Sequence, residues 1–233
     1  MLIKNSIKFI VIFLICFFVP NINLNADEFN ISAQEIVIDK DKEILTGTGM
    51  VEVIDSEGRI INANKIVYKK TIEFLTAEGD VKIKDLDGNI LKTNKATFDK
   101  LNNIINTYEN SKLTLKEGYK LITKNISYDT EKKIIDSVND SILTDNDGNI
   151  IETSLFQYHI DNNLFSSVGK IKITDIKKNK YFFKELHVDT KKKEMIGSDV
   201  SVILDQKNFG VSEESDPRFV SNDIFVSFSI TSI

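Results

Sequence analysis

Apolar residues recur along this chain at a fixed interval of thirty. Ile36, Ile66, Ala96, Ile126, Phe156 and Leu186 share one column, and two residues on stand Ile38, Tyr68, Phe98, Tyr128, Tyr158 and Val188. A third column reads Val53, Ile83, Leu113, Leu143, Ile173 and Ile203, and a fourth Leu45, Leu75, Ile105, Ile135, Phe165 and Met195. The register holds without insertion from Ala33 to Leu204. Self-similarity of this kind marks stacked supersecondary units, each too small to bury a face alone.

Within a unit the apolar positions alternate, as in Val51–Asp55 and Val81–Asp85, which is the pattern of half-buried strands. Gly58, Gly88, Gly118 and Gly148 form a fifth column, which lapses at Lys178 and Asn208. Asp55–Arg59 and Asp85–Asn89 therefore read as hairpins with three loop residues, glycine last, in a type I turn followed by a left-handed residue. That loop puts Val53 opposite Ile61 and Ile83 opposite Leu91; a two-residue loop would set Val53 against Asn62 and break the apolar face. Clusters such as Asp39–Glu43 and Asp129–Lys133 mark the other turns. The apolar positions also change parity within a strand, from Ile61 and Ala63 to Ile66 and Tyr68. A bulge or bend near Asn64–Lys65 would carry the strand from one sheet into a second. The expected fold is all-β, with six thirty-residue, two-strand units and two sheets sharing bent strands.

Composition changes the picture in three ways. Only two prolines occur, Pro20 and Pro217, so none interrupts the repeats. Lys4 and Lys8 precede an eleven-residue apolar run, Phe9–Val19, and Leu24–Ala26 offers a small-residue cleavage site, so 1–26 reads as a cleaved secretory signal. Ile15 before Cys16 is too large for a lipoprotein site. The only cysteine, Cys16, lies in that segment, which leaves 27–233 without a disulfide or a thiolate metal site. The net charge is −5, and cleavage after Ala26 would make it more negative. An acidic chain lacks the basic footprint that nucleic acid requires.

Three motifs follow one another: Ala-x-x-Ile-x-Tyr (Ala63–Tyr68), Leu-Thr-Ala-x-Gly-x-Val-x-Ile (Leu75–Ile83) and Asp-x-x-Gly-x-x-Leu-x-Thr (Asp85–Thr93). Together they resemble the organic-solvent-tolerance (OstA) N-terminal domain of the lipopolysaccharide-transport proteins LptA, LptC and LptD. The resemblance covers Ala33 to Leu204 and is greatest to the periplasmic domain of LptD, because Asp216–Arg218 resembles the junction to an outer-membrane barrel. It implies an open, V-shaped antiparallel β-jelly roll at 27–205, a junction-like tail at 206–233, and a periplasmic location near the outer membrane. It further implies lipopolysaccharide as ligand and no cofactor. Its implied partners are other OstA-like proteins joined head to tail, an outer-membrane barrel and the barrel's lipoprotein plug. A stand-alone LptA-like bridge is the alternative within the family, and an exported scaffold or adhesin the alternative outside it.

The residues implied as lining the lipid groove are Ile38, Val53, Tyr68, Ile83, Phe98, Leu113, Tyr128, Leu143, Tyr158 and Ile173. Read without the resemblance, the same residues fill a closed sandwich core. The column of Val81 weakens to Ser111, Ser141 and Ser201, which places it nearer a rim. Ile36 and Val37 at one end, with Val202 and Ile203 at the other, sit on expected edge strands, open to strand addition unless the terminal segments cap them. No catalytic signature occurs. His159 and His187 fall on outward positions in different columns, and the Asp-x-x-Gly loops read as turn chemistry rather than calcium sites, because Leu143 stands where the first EF-hand ligand would be. The chain is expected not to be an enzyme.

Overall fold

The computed structural model describes residues 29–205 and 207, together with two short strands at 218–220 and 226–229. The expected signal segment and most of the tail lie outside the described residues. Alternation builds strands throughout, and no α-helix occurs among the described residues; one turn of 3-10 helix spans Lys70–Ile72. Every strand pairing is antiparallel, and the whole forms one continuous twenty-stranded sheet folded along its middle.

The N-terminal strands are β1 (Phe29–Ser32), β2 (Glu35–Asp39), β3 (Ile44–Asp55), β4 (Ile60–Lys69), β5 (Phe74–Lys84) and β6 (Ile90–Asp99). In the central units each long strand breaks into two: β7 (Ile104–Tyr108) and β8 (Ser111–Thr114), β9 (Lys120–Thr123) and β10 (Ser127–Asp129), β11 (Ile134–Ser137) and β12 (Ser141–Thr144), β13 (Ile150–Thr153) and β14 (Phe156–His159). Long strands return as β15 (Leu164–Thr174) and β16 (Lys180–Asp189). Then follow β17 (Glu194–Ser198), β18 (Ser201–Ile203), β19 (Arg218–Val220) and β20 (Val226–Ser229).

The fold line divides the pairing into two ladders. Sheet I runs β2, β3, β4, β5, β6, β7, β10, β11, β14, β15, β16, β17, β20. Sheet II runs β1, β3, β4, β5, β6, β8, β9, β12, β13, β15, β16, β18, β19. Because β6 and β15 each belong to both, the strands between them close a 10-strand circuit, with the outer strands extending it on either side.

The register follows the loop chemistry: Val53 pairs with Ile61 and Ile83 with Leu91. Gly58 and Gly88 take φ of 77° and 96°, as a three-residue loop with a left-handed third residue requires. The parity change in β4 is also present, with Asn64 and Lys65 exposed between buried Ala63 and Ile66. The extra residue that causes it is not at Asn64–Lys65, however. It sits on the flanking strands, at Gly49–Met50 in β3 and Gly79–Asp80 in β5, where the register shifts. Gly49 and Gly79 have φ of 74° and 77°, a conformation glycine adopts without steric cost. The residues beside the bend merely face the bulge. Gly169 in β15 repeats the device.

Two corrections concern the C-terminal end. β18 pairs with β16 on one side and β19 on the other, with Val202 opposite Phe219 and Ile203 opposite Arg218. Val202 and Ile203 are therefore internal, not on an edge. Within 206–233, the described residues add a strand to each sheet, β19 to sheet II and β20 to sheet I.

Candidate functional site

Each sheet presents an unbroken apolar row to the interior. On sheet I the row alternates two of the sequence columns: Ile38, Leu45, Tyr68, Leu75, Phe98, Ile105, Tyr128, Ile135, Tyr158, Phe165, Val188, Met195. On sheet II it reads Ile31, Val53, Ile61, Ile83, Leu91, Leu113, Leu121, Leu143, Ile151, Ile173, Tyr181, Val202. Residues directly opposite across strands share a face, so each row is one continuous strip. Of the sequence-predicted lining residues, Val53, Ile83, Phe98, Leu113, Leu143, Tyr158 and Ile173 are buried, and Tyr68 and Tyr128 pack half-buried against them. Ile38 departs from this set at 59% exposure, with Ile36 at 44%. Both stand on β2, which among the described residues pairs only with β3, opposite Leu45 and Gly47, so the apolar strip continues past the last covering strand described.

The interior is filled. Phe29 from β1 sets its ring edge-on against Tyr68 and Phe98 of the facing sheet, centroids 5.0 and 5.7 Å apart, and Phe156 stacks on Phe165 at 5.6 Å. The space among Ile61, Leu75, Ala77, Ile83 and Phe98 is too narrow for water. The two rims also meet. Lys100 Nζ donates to Ser56 Oγ at 3.1 Å, Lys193 approaches Asp147 at 3.8 Å, and the Arg59 guanidinium lies 5.1 Å from the centre of the Phe98 ring.

Arg59 and Asp55 form an ion pair at 2.6 Å with both side chains buried, and Arg59 Nη2 has no hydrogen-bond partner. Three other loops use a neutral device at the same position. Asn89, Asn149 and Asn179 each donate a side-chain N–H to the aspartate that opens their loop, at 2.7, 2.7 and 2.8 Å, and a backbone N–H at 2.8 Å. The Oδ1 of each asparagine accepts the backbone N–H of Lys116, Ile176 or Asp205 in the next loop, so consecutive loops are chained. Asp145 is fully engaged in its own turn, which accounts for the Asp-x-x-Gly repeats without a metal.

The serine column lies in the wrong place for a rim. Ser111 and Ser141 are buried and form, with Thr93, Thr107, Thr123, Ser137, Thr153 and Ser167, a seam of hydroxyls along the fold line. Thr107 and Ser111 are 2.6 Å apart, Ser141 donates to Thr123 at 3.0 Å, and Thr93 donates to the carbonyl of Tyr108 at 2.9 Å. The seam supplies hydrogen bonds where the broken strands leave backbone groups without ladder partners. Small hydroxyl residues do this in little volume, which explains why the apolar column lapses there.

Burial raises the phenols of Tyr119, Tyr128, Tyr158 and Tyr181. It pushes Tyr119 and Tyr181 to about 12, helped by nearby carboxylates, Asp145 beside Tyr119 and Asp175 beside Tyr181. Burial also raises Tyr158 and Tyr128; the Arg59 guanidinium pulls Tyr128 the other way. Both histidines face outward on sheet I, His187 between Ser166 and Glu185, His159 against Gln157. Among the described residues no group of three or more His, Cys, Asp or Glu is placed to hold a metal. A separate hollow of about 1240 Å³ lies at the fold line and outer face of sheet II, lined by Ile122, Ile142, Glu152, Lys172 and Phe182.

A scan against protein-family models finds no match, and no curated protein matches the chain. Among solved structures the chain is similar to LptH of Pseudomonas aeruginosa, described as the LptA-homologous periplasmic component of the conserved lipopolysaccharide transport device. The two are 17% identical over 46% of this chain and 79% of that one, with a TM-score of 0.42. At that identity and that TM-score, no ligand, partner or activity passes from LptH to this chain.

Proposed function

We propose that the chain is a non-enzymatic, periplasmic lipopolysaccharide-transport domain that shelters acyl chains between its two apolar strips. The observation that carries this reading is the pair of unbroken strips, together with the emergence of one of them at Ile36 and Ile38 on the open edge of β2. A scaffold needs a core but has no use for an apolar strip that continues beyond its covering strand. The repeats' resemblance to the OstA domain supplies the ligand class and the V-shaped jelly-roll opening. The LptD-like and LptA-like alternatives both remain inside this proposal, with β2 as the edge on which a further OstA-like strand would pair through Ile36 and Val37.

Uptake requires the rims to part. The contacts across them at Lys100–Ser56 and Lys193–Asp147 are polar and solvent-accessible, a class worth about 0–1 kcal/mol each. Burial of acyl chain returns about 0.8 kcal/mol per methylene, so several methylenes offset the loss of internal packing. The competing reading is a closed scaffold, which the filled interior favours. A photoreactive residue placed at Ile83, Phe98 or Leu113 separates them. The transport reading expects crosslinks to lipopolysaccharide from these positions and none from outward Gln157. Equal labelling at Gln157, or none from the interior, would leave the scaffold.

A further inference from the structure

The outer face of sheet II carries a cluster of like charges that the fold does not require. Along one cross-strand row Lys82 stands opposite Lys92, and Lys92 opposite Lys112. Lys84 and Lys120 extend the cluster toward the loops. All five are exposed, and among the described residues none pairs with a carboxylate. Like charges directly opposite each other destabilise a sheet. The chain as a whole is acidic, at −5, so this concentration runs against its composition. Sheet I does the opposite on the same strands, where Glu78 pairs with Lys95 at 2.8 Å.

The lysines are interleaved with apolar side chains. Ile60 and Ile90 flank Lys84 on the same row, and the lysine row itself continues into Ile122 and Ile142, which are 51% and 45% exposed. A face of ammonium groups and isoleucines matches a bilayer surface. The cations meet headgroup phosphates while the short apolar chains reach the acyl boundary. We propose that the outer face of sheet II is a docking surface for an anionic phospholipid bilayer, with Lys82, Lys92 and Lys112 as its electrostatic centre. Docking through the outer face leaves the interior strips and the β2 edge free, so it does not depend on what the interior carries.

The test is co-sedimentation of the full chain with phosphatidylcholine vesicles, with and without phosphatidylglycerol. The wild type binds the phosphatidylglycerol vesicles more tightly, and the difference fades as salt shortens the screening length. The variant Lys82→Gln/Lys92→Gln/Lys112→Gln loses that preference by about tenfold or more and melts no lower than the wild type, because it relieves repulsion. The variant Lys65→Gln/Lys69→Gln/Lys70→Gln removes the same charge elsewhere and keeps the preference. The apolar run Phe9–Val19 is common to all three proteins and cancels in the comparison. Absence of any preference for phosphatidylglycerol in the wild type overturns the proposal, as does an equal loss in both variants.

Discussion

Arg59 fills a loop position that three other units give to asparagine, and its replacement isolates what the difference does. Asp55 is held by Arg59 Nε at 2.6 Å and by two backbone N–H groups, with its side chain fully buried. Arg59→Ala strands that carboxylate, and breaking a buried pair from one side costs about 3–5 kcal/mol. Arg59→Asn should behave differently, because Asn89, Asn149 and Asn179 already fill the equivalent position against an aspartate. The new amide restores the bond to Oδ2 and removes the buried guanidinium with its unpartnered Nη2. What it loses is the contact with the Phe98 ring across the interior, worth about 0.5–2 kcal/mol, and the ion pair with half-exposed Glu57 at 3.0 Å, worth about 0–1 kcal/mol. Urea unfolding should therefore rank wild type above Arg59→Asn by about 1 kcal/mol and above Arg59→Ala by about 3–5 kcal/mol, with the m-value unchanged. The Asn variant should also take up lipid faster, since the rim loses a clasp but no loop. If the two variants lie within about 1 kcal/mol of each other, the Asp–Asn loop is not the equivalent device described above.

Other expectations follow from backbone and burial. Lys178 occupies the lapsed glycine column yet keeps φ at 68°, so Lys178→Gly should raise stability by about 0.5–1 kcal/mol in thermal unfolding; a loss would mean the lysine side chain contributes more than the strain costs. Gly79→Ala should cost at least about 1–2 kcal/mol from φ alone, with the new Cβ 2.7 Å from Asn64 Nδ2. Adding Asn64→Ala should recover only the clash, and full recovery would show that φ is not the constraint. The raised phenols of Tyr119 and Tyr181 are protonated in the fold over a range where the unfolded chain has begun to ionise. Stability should accordingly be indifferent to these groups below pH 10 and fall as pH rises from about 10 toward about 12. Ultraviolet titration of the phenols should show at least two ionising late, with unfolding, and a single transition near 10 for all six tyrosines would refute this.

Much of the fold was legible because two periods coincide in the sequence. Alternation gave the strands, and the thirty-residue interval fixed the loop length and with it the pairing of Val53 with Ile61. What escaped has physical reasons. The turns at the other end depend on a left-handed residue at Glu43, Glu73, Asn103, Lys133, Asn163 and Lys193, all with φ between 46° and 59°. None is glycine, and ladder hydrogen bonds on both sides hold the strained residue in place, so no residue type announces it. The parity change points to Asn64–Lys65, whereas the extra residue lies across from it, where Gly49 and Gly79 stand in register. The weakening of an apolar column at Ser111 and Ser141 points to a rim, yet backbone groups freed at the broken strands keep both serines buried. Apolar columns identify an interior without saying whether it is open or filled, and for that reason Phe98 and Ile83 suit a core and a lipid floor equally well.

The chained loops have a consequence for size. Asn89, Asn149 and Asn179 each reach the loop that follows, and each unit adds one hairpin of two strands. Adjacent strands are about 4.8 Å apart, so every unit lengthens the array by about 10 Å without altering the register of its neighbours. Removing or duplicating one thirty-residue unit should therefore change the span in discrete steps and leave the cross-section untouched. The repeat number acts as a ruler, setting how far an apolar strip extends independently of what binds along it.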